Sequence, residues 1–110
     1  MTDPRTALPG TRRYLDASGW QEQAGYSRAV RRGNVITVSG TTATGPDGTA
    51  LCPGDTFGQA RICLQRVLGA VAALGGQPGD VAPANTMLYV AGLIGEAFEV
   101  EVEAMAVTQA

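Results

Sequence analysis

Glu99, Glu101 and Glu103 are the residues through which this chain could most directly do chemistry. It contains no histidine, so the acid or base it can offer near neutral pH is a carboxylate. All three lie in residues 98–107, Phe-Glu-Val-Glu-Val-Glu-Ala-Met-Ala-Val, which alternate apolar and polar as far as Ala104. Period-two alternation predicts a half-buried strand. Its apolar face would carry Phe98, Val100, Val102, Ala104 and Ala106, and the glutamates, Met105 and Val107 would project from the other. Alternation alone leaves the three carboxylates equal. Cys52 and Cys63 have no metal-ligand spacing, so they read as reduced thiols and no metal or cofactor is expected. Ser39 has no visible base partner, which argues against a nucleophilic serine.

The elements that must position these residues follow from turn chemistry and periodicity. Residues 1–20 are polar and carry Pro4, Pro9 and Gly10, which predicts a flexible arm ahead of one domain over 21–110. Residues 27–31, the turn Arg32-Gly33-Asn34 and residues 35–39, β-branched in all but Ser39, predict a hairpin. Gly45-Pro46-Asp47-Gly48 marks a second turn. A helix then runs from an N-cap at Asp55 or Thr56 to Gly75-Gly76. Its apolar stripe is Ala60, Cys63, Leu64, Val67, Leu68, Val71 and Leu74. Residues 86–91 predict a strand that leads through Gly92-Leu93-Ile94-Gly95 into the glutamate strand. The order is that of an α+β domain.

Composition narrows the partners. The net charge is -2, and eight arginines with no lysine are scattered from Arg5 to Arg66, which is not the footprint of a nucleic-acid binder. No run of eighteen apolar residues occurs and the start has no apolar h-region, so a cytoplasmic protein with no membrane partner is expected. Fifteen glycines in 110 residues raise the entropy cost of folding, and an oligomer would supply the buried surface that one small domain lacks.

Gly25-Tyr26-Ser27-Arg28-Ala29-Val30 followed by Gly33-Asn34-Val35-Ile36-Thr37-Val38-Ser39-Gly40 resembles the opening hairpin of the reactive-intermediate deaminase family, RidA/YjgF. The helix beginning Gln59-Ala60-Arg61, the Pro83-Ala84 strand start and the closing Val100-Glu101-Val102-Glu103-Ala104 are similar to that family in the same order. The resemblance implies a chorismate-mutase-like α+β fold, a homotrimer with small-molecule clefts between subunits, and hydrolysis of enamines or imines to ketoacids and ammonia. It also shows two departures. Where the deaminases carry an arginine that holds the substrate carboxylate, this chain has Asn85, and an amide cannot supply that charged fork. Only residues 77–82 stand where the family has a further strand and helix, so the fold is a shortened variant. A sheet deprived of an inner strand must re-pair or expose edges.

The resemblance singles out Glu103 as the group that positions water or moves a proton, against the plain reading of a solvated strand glutamate. Glu99 and Glu101 read as surface residues. Tyr26 either lines the cleft or anchors the hairpin, and Asn85 and Thr86 either bond a ligand or start a strand. Ser39 and Gly40 allow close approach of a ligand or neighbour. Arg28 and Arg31 share one face of a short strand, where an anion site and a solvated face compete and the solvated face is favoured. The resulting expectation is a homotrimer that binds a small neutral or weakly polar metabolite. It would hydrolyse or rearrange an enamine or imine through Glu103, or it would be a non-catalytic binding or interaction protein of the same fold. A nuclease fits the acidic, metal-free composition least well.

Overall fold

Backbone pairing in this computed structural model, which describes residues 10–16, 21, 24–81 and 86–109, is built outward from the hairpin. Strand β2 (Ala29–Arg32) and strand β3 (Val35–Thr41) pair antiparallel from Ala29↔Val38 to Arg32↔Val35. Only Gly33 and Asn34 separate them, and Gly33 takes φ +60, a left-handed backbone that glycine enters without strain. Strand β1 (Thr11–Tyr14) pairs with β2, so part of the segment expected to be a flexible arm is an edge strand. Strand β4 (Val102–Val107) pairs with β3 on the other side. The sheet order is β1-β2-β3-β4, antiparallel throughout.

One face of this sheet is closed by helix α1 (Thr56–Ala73). Ala29, Ile36, Val38 and Ala106 from the strands are buried against Val67, Ala70, Val71 and Leu74 from the helix end. At the start of α1 the Asp55 side chain accepts from the Gly58 amide at 2.9 Å, and at its end Gly75 takes φ +87. The expected stripe is rotated. Gln59 and Ala70 are buried, whereas Leu64 is 52% and Leu68 38% exposed. These two leucines face away from the sheet, and the described chain supplies nothing to cover them.

The carboxyl end of α1 explains the arginines. The Leu74 carbonyl accepts from Arg31 Nη1 at 2.8 Å and from Arg12 Nη2 at 3.1 Å. Two cations therefore stand where the helix dipole is negative. Arg31 also donates to Gly33 O at 2.9 Å and to Thr108 Oγ1 at 3.0 Å, so it ties the helix end to the hairpin and to the end of β4. The expectation of a solvated Arg31 is corrected on this ground. Because β2 residues alternate faces, Arg31 shares the helix-facing side with Ala29.

Gln59 holds the other end. Its fully buried amide donates to Ala97 O at 2.7 Å and accepts from the Glu99 amide at 2.9 Å. Cys63 Sγ lies 3.8 Å from Val100 O. Residues 97–100 are thereby bound to the helix rather than to β3, so the predicted glutamate strand begins at Val102 and not at Phe98. The alternation of inward and outward side chains nevertheless persists from Phe98 to Val107.

The strand expected at 86–91 is not formed. Met87, Leu88, Tyr89 and Val90 are 62–104% exposed and join no ladder. A strand exists only by pairing. Between α1 and residue 86 the described chain holds only a short 3-10 turn (Pro78–Val81), so no neighbouring strand is at hand.

Two outcomes are expected. Gln59→Ala should lower unfolding stability in urea by about 1–3 kcal/mol, because a buried amide and carbonyl lose their partners. Burial pushes the Cys63 thiol up, opposed by Arg66 and reinforced by Glu101, and the side chain is fully buried. Iodoacetamide at neutral pH should therefore modify the exposed Cys52 while Cys63 reacts only on unfolding, as read by mass spectrometry of native and denatured protein.

Candidate functional site

The β3–β4 register breaks where the chemistry-bearing residues sit. Val38 opposes Ala104 and Thr41 opposes Val102, so Ser39 and Gly40 together face the single residue Glu103. This two-against-one pairing is a β-bulge, which re-aims side chains at that point of the ladder. Glu103 is exposed on the sheet face opposite α1.

Arg28 fastens the bulge to the hairpin. Its Nη1 donates to Ser39 Oγ at 2.9 Å, to Gly40 O at 2.7 Å and to Thr41 Oγ1 at 3.2 Å. Nε donates to Asp16 Oδ2 at 3.1 Å, an ion pair in which the Arg28 side chain is 12% exposed. Asp16 is held in turn by Gln21, whose side-chain amide donates to Asp16 Oδ1 at 2.7 Å and accepts from the Asp16 amide at 2.7 Å. Tyr26 lies beneath the guanidinium, 5.6 Å from ring centroid to Cζ, and its hydroxyl accepts from Nη2 at 3.4 Å. Ser39 returns the contact: both its amide and its hydroxyl donate to Arg28 O, at 3.0 and 3.1 Å. Such a fork suits Arg28 because guanidinium donors diverge in one plane and lysine has no equivalent.

Position 40 is held to glycine by its neighbour across the ladder. A Cβ there would run into the Glu101 carboxylate, which lies over the Gly40 backbone. Glu101 is exposed, as expected of a surface residue, with its carboxylate lying over the bulge. Glu99 goes elsewhere: its carboxylate accepts from the Thr56 hydroxyl at 2.6 Å at the start of α1. The three glutamates that alternation left equal are separated by their surroundings, with Glu99 at the helix, Glu101 over Gly40 and Glu103 across the bulge.

Of the residues expected at the site, Tyr26, Ser39, Gly40 and Glu103 are thus gathered around Arg28 and the bulge. Thr86 stands exposed in the unpaired run at 86–91 and shares no hydrogen bond with them. Asn85 lies outside the described residues. Arg28 is the residue that sequence reasoning placed on a solvated face in preference to an anion site, although a signal for its role existed. Counting outward from the two-residue turn places position 28 opposite position 39. Chemically the arrangement offers one guanidinium, the hydroxyls of Tyr26, Ser39 and Thr41 and the carboxylates of Asp16, Glu101 and Glu103 around a backbone bulge. That set can bind a polar group, orient water and hold a proton.

Residues 18–82 match the family model described as Endoribonuclease L-PSP. Among solved structures, one neighbour is Rv2704 of Mycobacterium tuberculosis, a member of the YjgF/YER057c/UK114 family. It is 26% identical with a TM-score of 0.74, and the match covers 89% of this chain and 99% of that one. A second is the YjgF gene product of E. coli, 28% identical with a TM-score of 0.66, over 76% of this chain and 88% of that one. The protein YJGH, at 19% identity and a TM-score of 0.66, shares the fold over 89% of this chain and 96% of its own. No curated protein matches the chain. A four-stranded antiparallel sheet closed by one helix, a family match across more than half of the sequence and these structural neighbours lead to one conclusion: the chain belongs to the RidA/YjgF family, whose model carries the description Endoribonuclease L-PSP.

Proposed function

We propose that this protein binds a small metabolite at the Ser39–Gly40 bulge and hydrolyses or rearranges an enamine or imine there, with Glu103 positioning water or moving the proton. The observation that carries this reading is the bulge itself, which sets Glu103 opposite Ser39 and Gly40 while Arg28 bonds both of them. In imine hydrolysis water adds to the C=N carbon, the nitrogen gains protons, and the C–N bond then breaks to leave a carbonyl and ammonia. A carboxylate can take the proton from water and return it to nitrogen, a general-base and general-acid role worth typically ~10²–10⁴-fold. The resemblance in sequence supports Glu103 over its neighbours, and geometry agrees in that Glu99 is engaged with Thr56.

Arg28 changes the expected ligand. Without an arginine at position 85, sequence alone pointed to a neutral metabolite. The guanidinium at the bulge adds a positive charge beside the site, although Asp16 offsets much of it. A polar, singly charged or neutral ligand fits this balance better than a dianion.

The site lies on the open face of the sheet, so a second subunit would be needed to wall it in. A homotrimer with the cleft between subunits is the assembly that supports the reading. A binding protein without catalysis is the second reading, favoured by the exposure of Glu103, since a proton-transfer group gains from exclusion of water.

The deciding assay generates enamines in situ and measures ammonia. Release above the buffer rate that falls at least ~100-fold in Glu103→Gln supports the enzyme. Release no faster than buffer, together with saturable ligand binding lost in Arg28→Ala, supports the binder.

A further inference from the structure

Two apolar surfaces of this chain are left uncovered, and they match each other. The first is the run 86–94, Thr-Met-Leu-Tyr-Val-Ala-Gly-Leu-Ile, which carries no charge. Met87 is 84%, Leu88 72%, Tyr89 104%, Val90 62% and Ile94 92% exposed. Isolated apolar residues on a surface are ordinary, but five in nine consecutive positions are not.

The second surface is the free edge of β4. The Thr108 amide donates to Asn34 O at 2.8 Å, which fixes the alternation of the ladder. Main-chain groups of Thr108, Ala106 and Ala104 point to β3, and those of Val107, Met105 and Glu103 point away from the sheet. No strand of the described residues receives them. Beside this edge runs the exposed flank of α1. Arg66 reaches Thr42 O at the end of β3 from one flank, and Phe57, Leu64 and Leu68 occupy the opposite flank, 81%, 52% and 38% exposed. An edge with unpaired amides, bordered by an apolar helix flank, is a template for one more strand.

We infer that residues 86–91 of one copy pair with the free edge of β4 in a second copy, exchanging strands in a closed ring of chains. Lengths agree, since six residues meet the six of Val102–Val107. Alternation agrees as well. A strand in that place directs every second side chain toward Leu64 and Leu68 and the others beside Met105 and Val107, which are 59% and 50% exposed. The occupant is a second copy rather than the same chain, because residues 97–100 are bound to α1 through Gln59 and Cys63. Those contacts hold the connection between the run and β4 against the helix. Closure of the ring fills the β4 edge of every copy, which open-ended addition would not achieve.

This inference does not rest on catalysis at the bulge, and its test separates the two. Among the described residues, 88 and 89 share no hydrogen bond, so Leu88→Pro with Tyr89→Pro removes amides from both alternating rows and leaves the rest of the fold intact. Light scattering on the native chain should give an oligomer. The double-proline variant should give a monomer with an unchanged far-ultraviolet dichroism spectrum, its dissociation constant raised at least ~100-fold. A cysteine pair keeps the result independent of proline. In a Cys52→Ser background, Tyr89→Cys protein mixed with Met105→Cys protein should cross-link into a heterodimer with a short bis-maleimide. A monomeric native chain, an oligomer indifferent to both prolines, or a cross-link forming only within a single chain that carries both cysteines would overturn the exchange. An oligomer that ignores the prolines leaves the cleft reading standing, and an exchanged oligomer that releases no ammonia sinks only the catalytic reading.

Discussion

The Arg28 guanidinium is the constraint on which the candidate site depends. It stands at the end of the hairpin, one residue before β2, and reaches across to three consecutive residues of β3. Inserting an extra residue into a ladder leaves backbone groups unpaired, and each unpaired carbonyl costs about what a lost hydrogen bond costs. Arg28 donates to Gly40 O at the bulge. Its own charge is met by Asp16, and Asp16 is fixed by the buried Gln21. A charge this little exposed requires such partners, because an unpaired buried ion is far costlier than an unpaired amide. The chain of dependence runs from Gln21 through Asp16 and Arg28 to the bulge and so to Glu103.

A second pair of contacts does for α1 what Arg28 does for the bulge. Arg31 and Arg12 hold its carboxyl end, and Gln59 holds the stretch before β4 at its amino half. Arg28 and Arg31 are three positions apart on one short strand segment and serve opposite faces of the sheet. That division follows from strand geometry alone. Placing both on one solvated face was an error of period rather than of chemistry.

Much of the fold was legible because it is locally encoded. The Gly33-Asn34 turn, the β-branched Val35-Ile36-Thr37-Val38 and the Asp55 cap each announce their structure within a few residues. Ser39, Gly40 and Glu103 were legible as site candidates through resemblance to a family, and their meeting at one bulge was not. A bulge is a long-range register event, and nothing near Ser39 in sequence records the position of Glu103. The strand expected at 86–91 failed for a related reason. Its composition is that of a strand, but strands are made by partners, and the shortened chain supplies none beside it. The same shortage leaves Leu64 and Leu68 bare on α1. Helical periodicity could say that these leucines lie near the apolar face, but not that their neighbour is missing.

Amide hydrogen exchange in Arg28→Met, compared with the native chain, tests the central claim most directly. If Arg28 holds the bulge, exchange at Ser39, Gly40 and Thr41 should quicken by at least ~10-fold, equivalent to about 1.4 kcal/mol of local opening, while Val67 through Leu74 in α1 remain unchanged. Unaltered protection at the bulge would contradict the account, because the site would then be held by the ladder alone.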